Sequence, residues 1–361
     1  MKKILIDLTS LDDNFTGIEH YALSLTKELI QNNNFDFELV FKNKISYFNS
    51  EELKQIKVTI LYGNRYDIMF RKLPKYINKC CPDYAVFFAF QPSSFWKPKK
   101  SIKIISTIHD LVAFDVPKTM TLKSRLYFRL AIKHAIKISY KINTISKFTE
   151  IRLIDMFKID EQKIIVSPCA SSMPIIKKDF EFIKNKYNLP NEYVLALSTI
   201  EPRKNFDKLI EWMVKLWKTN IEFPDLVLVG RNGWKQEKIL EKISLDMKKK
   251  IHFTGFADEE DKYSLYFYSK TFVFPSIYEG FGMPILEASL ADKFPVCSNI
   301  PTAKEILGAD YPYLFDLNSF TSFKNKLFAN MKNASNINIT DKVKEYDWEN
   351  SADILLKGIL K

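Results

Sequence analysis

The sequence predicts an α/β protein of two doubly wound, Rossmann-like domains, each built on a parallel sheet, and three observations carry that prediction. A length of 361 residues exceeds one ordinary core and suits two domains of roughly 100–200 residues each. Short apolar runs alternate with helical patterns along nearly the whole chain, as expected of parallel strands joined by crossover helices. The segment KIIVSPCASSMP sets Pro168, small residues and Pro174 directly after a strand, which reads as the close of one domain near residue 173.

In the first half, KILIDL is the first strand and EHYALSLTKELIQ the first helix. FELVF, KVTILY, YAVFFAF, SIKIISTIHDL and KINTIS follow as strands, and Lys147 to Phe157 as a polar helix. In the second half EYVLALST, DLVLVG, KIHFTGF, TFVFPS and FPVCSN are five strands. Each precedes a helix: NFDKLIEWMVKLWKT, a segment near Lys235–Lys248, DEEDKYSLYFYS, PILEASLA and a short one at TAKEILG. The tail ends in a helix whose entry, DWENSA, offers Asn350 or Ser351 as its cap. The expected domains are therefore residues 1–172 and 173–340, with a terminal helix in 341–361. Two such domains imply a cleft, with ligands at the strand-to-helix turns.

Composition narrows the chemistry. Hydrophobic residues at 46% and charged ones at 27% fit a folded soluble protein, and no apolar run approaches the ~20 residues of a membrane helix. MKKILIDLTS reads as a first strand and not as a cleavable signal, so a cytoplasmic location is expected. The four cysteines form no C-x-x-C pair, the four histidines no H-E-x-x-H, and no D-x-D pair is present. Chemistry without a metal or cofactor is expected.

The net charge of +11 is unevenly placed, about +10 of it in residues 1–172 and about +1 in the rest. Within the basic half, Arg125, Arg129, Lys133, Lys137 and Lys141 recur at four-residue spacing and draw a line along a helix. Leu126, Phe128, Leu130, Ile132 and Ile136 flank it. Two readings stand side by side: a solvated face over a core-facing stripe, or a surface resting on an anionic membrane. Nucleic acid is not expected as a partner, because no recognition motif accompanies the charge.

The stretch YEGFGMPILEAS places two glutamates, Glu279 and Glu287, eight positions apart around Gly280, Phe281 and Gly282. Pro284 suits the first position of the helix after the strand TFVFPS, so Tyr278–Met283 forms a connecting loop. Its glycines let the backbone approach a ligand closely, and its N–H groups with the helix N-terminus can donate to hydroxyl or phosphate oxygens. Glu287, expected in the first turn of that helix, can accept two hydrogen bonds from a vicinal diol. A hydroxyl-rich, phosphorylated ligand is implied.

EGFGMPILEA, with its Glu-x7-Glu spacing, resembles the signature of the retaining glycosyltransferases of family 4. TGIEHYALSLTKEL resembles that family's N-terminal glycine loop and helix, STIHDL its mid-domain histidine turn, and LSTIEPRKNFDKLIEW its phosphate-binding turn. LVLVG and HFTGFADEEDKYSLY resemble its base-binding strands, and DWENSA the tail that crosses back to the N-terminal domain. The resemblance implies the GT-B fold, two Rossmann-like domains facing across a cleft, with acceptor in the first and nucleotide sugar in the second. It implies Glu287 at the ribose, Glu279 by the transferred sugar, and the Gly280–Met283 backbone (Gly280, Phe281, Gly282, Met283) at sugar and phosphates. It further implies Lys204 and Arg203 at the diphosphate, near Ser198 and Thr199, with Gly255 and Phe256 at the base. Fixed cations suit a leaving nucleoside diphosphate, which gains negative charge as the bond breaks.

Gly17 resembles the glycine that brings the first loop to the donor phosphates, with Asn14 or Thr16 beside it. His109 resembles the histidine facing the donor sugar, Asp110 could orient its ring, and His20 could reach an acceptor or phosphate. Retention in this family is explained by front-face attack, the departing phosphate oxygen taking the acceptor's proton. Two departures stand out: Ser198-Thr199 where relatives often have Gly-Arg, and ADKFPV, with Lys293 and Phe294, where they have a glycine. The EPRKN form of the turn resembles mannosyltransferases that use GDP-mannose, with UDP-sugars as the alternative. A glycan or lipid-diphosphate-linked saccharide is the implied acceptor, and surface-glycan synthesis the setting. A GT-B phosphorylase, an epimerase and a non-catalytic sugar-binding scaffold are the other classes weighed.

Overall fold

The computed structural model describes residues 1–11, 17–89, 91–93, 95–230, 243–333 and 339–361. The chain divides into two compact units, Met1–Ser172 with Tyr346–Lys361, and Met173–Glu345. The expected glycine-loop residues Asn14 and Thr16, and most of the helix expected near Lys235–Lys248, lie outside the described residues.

The first unit is a parallel seven-stranded sheet. Its strands are β1 (Lys2–Asp7), β2 (Phe35–Lys42), β3 (Lys57–Leu61), β4 (Tyr84–Phe87), β5 (Lys103–Ile108), β6 (Lys141–Thr144) and β7 (Ile164–Val166), in the order β3-β2-β1-β4-β5-β6-β7. Chain order reverses between β1 and β4, which makes that pair the switch point where a doubly wound sheet opens a crevice. β1 is central: Leu5 pairs with Glu38 and Ala85, and Leu5 and Ile6 are fully buried. Both faces of such strands are covered by helices, which is why KILIDL and YAVF read as continuous apolar runs.

The terminal helix Trp348–Leu360 belongs to this unit. Its cap is Asp347, whose side chain accepts from Asn350 N–H at 2.7 Å, so neither Asn350 nor Ser351 plays the expected part. Asp347 is the right type one position outside the helix, where its carboxylate meets the unpaired N–H groups. Ser351 instead donates to Pro168 O at 2.8 Å, and the Trp348 ring meets Tyr21 edge-on at 5.7 Å. Gly358 lies so close to β7 that a Cβ would stand 2.7 Å from Ile165.

The second unit is a parallel sheet of six strands, one more than expected. β8 (Tyr193–Leu197), β9 (Asp225–Val229), β10 (Ile251–Gly255), β11 (Thr271–Phe274), β12 (Val296–Ser298) and β13 (Leu314–Phe315) run in the order β10-β9-β8-β11-β12-β13. The two-residue β13 is too short to leave a periodic signal. Here the switch point falls between β8 and β11.

Candidate active site

The two loops leaving that switch point carry the charged residues singled out above. After β8 the chain makes a tight turn at Pro202–Lys204, and Asn205 takes a left-handed conformation (φ 58°) that asparagine tolerates, before the helix Phe206–Thr219 begins. After β11 it runs through Pro275–Phe281 to Gly282, whose φ of 117° makes it the residue on which the helix Met283–Leu290 starts. The backbones are stitched together, Ile277 N–H to Arg203 O at 2.9 Å and Asn205 Nδ2 to Pro275 O at 3.2 Å.

That stitching brings Glu279 between two cations. Lys204 Nζ lies 2.6 Å from Glu279 Oε1 and Arg203 Nη1 2.6 Å from Oε2, and Arg203 Nε also meets Glu201 at 2.7 Å. Glu279 and Lys204 are both buried. Burial would raise the Glu279 carboxyl, but the Arg203 and Lys204 charges outweigh it and hold the group at about 2. Burial and the neighbouring Arg203 push the Lys204 ammonium down, against the pull of Glu279. The cluster is thus a compact store of opposite charges, its cations facing a carboxylate that an anionic ligand could displace.

Glu287 sits elsewhere than expected. The helix starts at Met283, one residue before Pro284, which puts Glu287 in its second turn, where it is buried. Tyr266 donates to its Oε2 at 3.0 Å, and Lys262 Nζ stands 3.7 Å from Oε1 and 2.6 Å from Glu259. Burial pushes the Lys262 ammonium down and the two carboxylates more than restore it. Tyr266, buried beside Glu287, is held well above the ordinary phenol range. Sequence reading passed over Lys262 and Tyr266, although their four-residue spacing on the helix Glu259–Tyr268 points both to one face.

Three strand ends complete this edge. Ser198 N–H bonds to Val229 O at 3.0 Å and Gly230 N–H to Gly255 O at 2.8 Å. A Cβ on Gly230 would stand 1.9 Å from Ser198 O, so the close approach of β9 to β8 needs a glycine. Gly255 has φ 73°, and Thr199 and Phe256 after these strands are exposed. Gly280 and Phe281 are buried in the loop, and Met283 is half-buried.

The first unit gathers the remaining candidates. Gly17 is the first residue of the helix Gly17–Leu29, and His20 is half-buried on it. One turn on, Tyr21 meets the His109 ring edge-on at 5.3 Å, donates to Ser167 O at 3.0 Å and accepts from Asn143 at 2.8 Å. His109 Nε2 bonds to Phe88 O at 2.5 Å, and burial lowers the ring's pKa, so the imidazole is neutral and donates from Nε2. The Phe88 carbonyl orients the ring. Asp110, expected to do so, accepts instead from Val112 N–H at 3.1 Å, because its place at the end of β5 makes it a turn residue.

At the switch point of this sheet, Asp7 lines a small recess with Gln91, Ser93 and Trp96. Gln91 Oε1 and Trp96 Nε1 are buried there without a partner among the described residues. Burial lifts the Asp7 carboxyl to about 6, with only the Thr9 hydrogen bonds opposing it. Asp7 ends the strand KILIDL, and nothing in its spacing marks it.

The basic helix corrects the expectation of a core-facing stripe. Over Leu122–Ile138 the buried residues are Ala131, Ile132 and Ala135, whereas Leu126, Phe128 and Leu130 are exposed. The apolar stripe is narrower than read because two alanines fill the face toward the sheet. Arg129 departs from its row as well, turning in to donate to Ala113 O at 2.8 Å over the Phe114 ring.

Among the described residues no group of three His, Cys, Asp or Glu side chains could hold a metal ion, and no helix is long and apolar enough to cross a membrane.

Residues 177–346, nearly the whole second unit, match the family model described as glycosyl transferases group 1. The second unit is a glycosyltransferase domain. The chain is 25% identical to the O-antigen chain mannosyltransferase B of Escherichia coli, over 96% of this chain and 97% of that one. It is 24% identical to the O-antigen chain mannosyltransferase RfbU of Salmonella typhimurium, over 84% of each. Among solved structures, HepE of Anabaena in complex with UDP and glucose superposes with a TM-score of 0.70 at 14% identity, over 99% of each chain. The fold is thus the GT-B class expected from the sequence.

Proposed function

We propose that the chain is a retaining, metal-independent glycosyltransferase of family 4 that moves mannose from GDP-mannose to a glycan or lipid-diphosphate-linked acceptor, forming an α-linkage in O-antigen or capsule synthesis. The observation that carries this reading is the pairing of Glu279 with Lys204 and Arg203 on the two loops of the β8–β11 switch point. A donor's diphosphate takes the two cations from Glu279 and so frees the carboxylate beside the sugar. As the glycosidic bond breaks, Lys204 and Arg203 stabilise the charge on the leaving phosphate, and loss of either costs about a hundredfold to a thousandfold in rate. The phosphate oxygen takes the acceptor's proton, so no protein nucleophile or metal is required.

Glu287, fixed by Tyr266 and Lys262, takes the ribose, with Gly255 and Phe256 at the base, Ser198 and Thr199 by the phosphates, and the Gly280–Met283 backbone at sugar and phosphate. His109, neutral and anchored, contributes to the donor sugar's site, with Gly17 at the phosphates and His20 and Asp110 on the acceptor side. The mannosyltransferases to which the chain is similar support mannose as the sugar. UDP in the HepE complex supports a UDP-sugar as the second reading. An acceptor on a lipid diphosphate places the protein at the cytoplasmic face of a membrane, as a peripheral enzyme.

The test is donor turnover in EDTA, with GDP-mannose and UDP-glucose supplied separately and the released sugar followed by proton NMR. The reading expects GDP-mannose to turn over and α-mannose to appear first. First appearance of the β-anomer would refute retention, and turnover of UDP-glucose alone would favour the second reading. Turnover of neither, by a folded protein, would favour a sugar-binding scaffold.

A further inference from the structure

The helix Leu122–Ile138 and its neighbours form a surface that water does not explain. Leu122, Leu126 and Leu130 recur at four-residue spacing and are 70%, 59% and 55% exposed. Lys123, Lys133 and Lys137 share their face at helical periodicity, and Arg125 lies just beside it. The helix carries no acidic residue, and none of these four cations has an ion-pair partner among the described residues.

The apolar area continues beyond the helix. Tyr127 donates to Met69 Sδ at 3.6 Å and lies within electrostatic reach of Arg65 and Tyr66. Tyr66 stacks on Phe70 at 6.4 Å, and Phe70 meets Phe95, which is 84% exposed, at 6.0 Å. Leucines, aromatic rings and the four helix cations thus form one patch. Scattered apolar side chains are ordinary on a soluble surface, but a contiguous group edged with cations marks a place of contact.

We propose that this face docks on an anionic lipid bilayer, with Leu122, Leu126, Leu130, Phe95 and Tyr66 entering the interface and Lys123, Arg125, Lys133 and Lys137 meeting the headgroups. A bilayer fits better than a protein partner because the cations stand beside the leucines, as in helices that lie in a membrane surface. Aromatic rings at the margin suit the headgroup level. Each cation strengthens binding to an anionic surface by about fivefold. The proposal rests on this patch and stands apart from the donor chemistry, though it gives the lipid-linked acceptor of the preceding reading a surface to be delivered from.

The test is co-sedimentation of the full chain with vesicles of phosphatidylcholine alone or with one-third phosphatidylglycerol. The wild type is expected to bind the anionic vesicles and to be released by salt. Leu126→Glu/Leu130→Glu and Lys133→Gln/Lys137→Gln should each weaken binding at least tenfold, with circular dichroism and nucleotide affinity unchanged. All four positions are exposed or charged, and the second pair keeps the helix intact should the first disturb it. No sedimentation with anionic vesicles, or equal binding by wild type and both variants, would overturn the proposal. So would a wild-type dimer by light scattering that Leu126→Glu/Leu130→Glu converts to monomer, since a second copy would then cover the face. Loss of nucleotide binding with vesicle binding intact would refute the donor reading and leave this one standing.

Discussion

Glu279→Gln isolates the buried charge cluster. Glutamine keeps the shape of the side chain and removes its charge, leaving the buried Lys204 ammonium without its partner while Arg203 keeps Glu201. The carboxyl sits at about 2 against an ordinary 4.5, and a shift of that size corresponds to about 3 kcal/mol of folded-state stabilisation at pH 7. Breaking a buried ion pair by removing one partner costs about 3–5 kcal/mol, so two independent routes agree. Because the folded-state pKa is depressed, this stability is present above pH 4.5 and is lost as pH falls through 2. Urea unfolding of wild type and variant at pH 7 and pH 3 should therefore give a difference that shrinks from about 3 to about 1 kcal/mol, with equal denaturant slopes. A difference below about 1 kcal/mol at pH 7, or one that grows on acidification, would refute the ion-pair account.

Tyr266→Phe removes the hydroxyl that donates to buried Glu287 and should cost about 1.5–3 kcal/mol in urea unfolding, as for other hydrogen bonds to charged groups. Asp7→Asn should remove a pH slope: with its carboxyl at about 6, raised by burial, Asp7 favours folding below pH 4 and loses about 3 kcal/mol as pH rises through 6. Urea midpoints between pH 4 and 7 should fall for the wild type and stay flatter for Asp7→Asn. Gly230→Ala drives a Cβ into Ser198 O and should destabilise by about 1–3 kcal/mol or more, read as a lowered thermal midpoint.

Much of the fold was legible because parallel strands buried on both faces appear as unbroken apolar runs, as in TFVF and YVLAL. The two-residue β13 escaped because it is too short for a period, and the helix Phe320–Asn333 escaped as well, although Phe320, Phe323, Leu327 and Met331 recur at helical spacing. The glycine and proline around Glu279 located the loop correctly, since left-handed Gly282 and a proline in the first turn are local requirements of a helix start. The ion pair itself was out of reach. Lys204 and Glu279 are 75 positions apart and meet only because β8 and β11 are neighbours in the sheet, a fact of topology that no local pattern holds. Leu126 and Leu130 were misplaced for the opposite reason: periodicity tells which residues share a face and not which face the sheet covers.

For the proposed metal-free nucleotide-sugar site around Glu279 and Glu287, the decisive experiment is calorimetric titration with GDP and with UDP in EDTA, using wild type and Glu287→Ala. GDP is expected to bind the wild type without metal and to bind the folded variant at least tenfold more weakly. Binding of neither nucleotide to the folded wild type, or equal GDP affinity in both proteins, would contradict the proposed site.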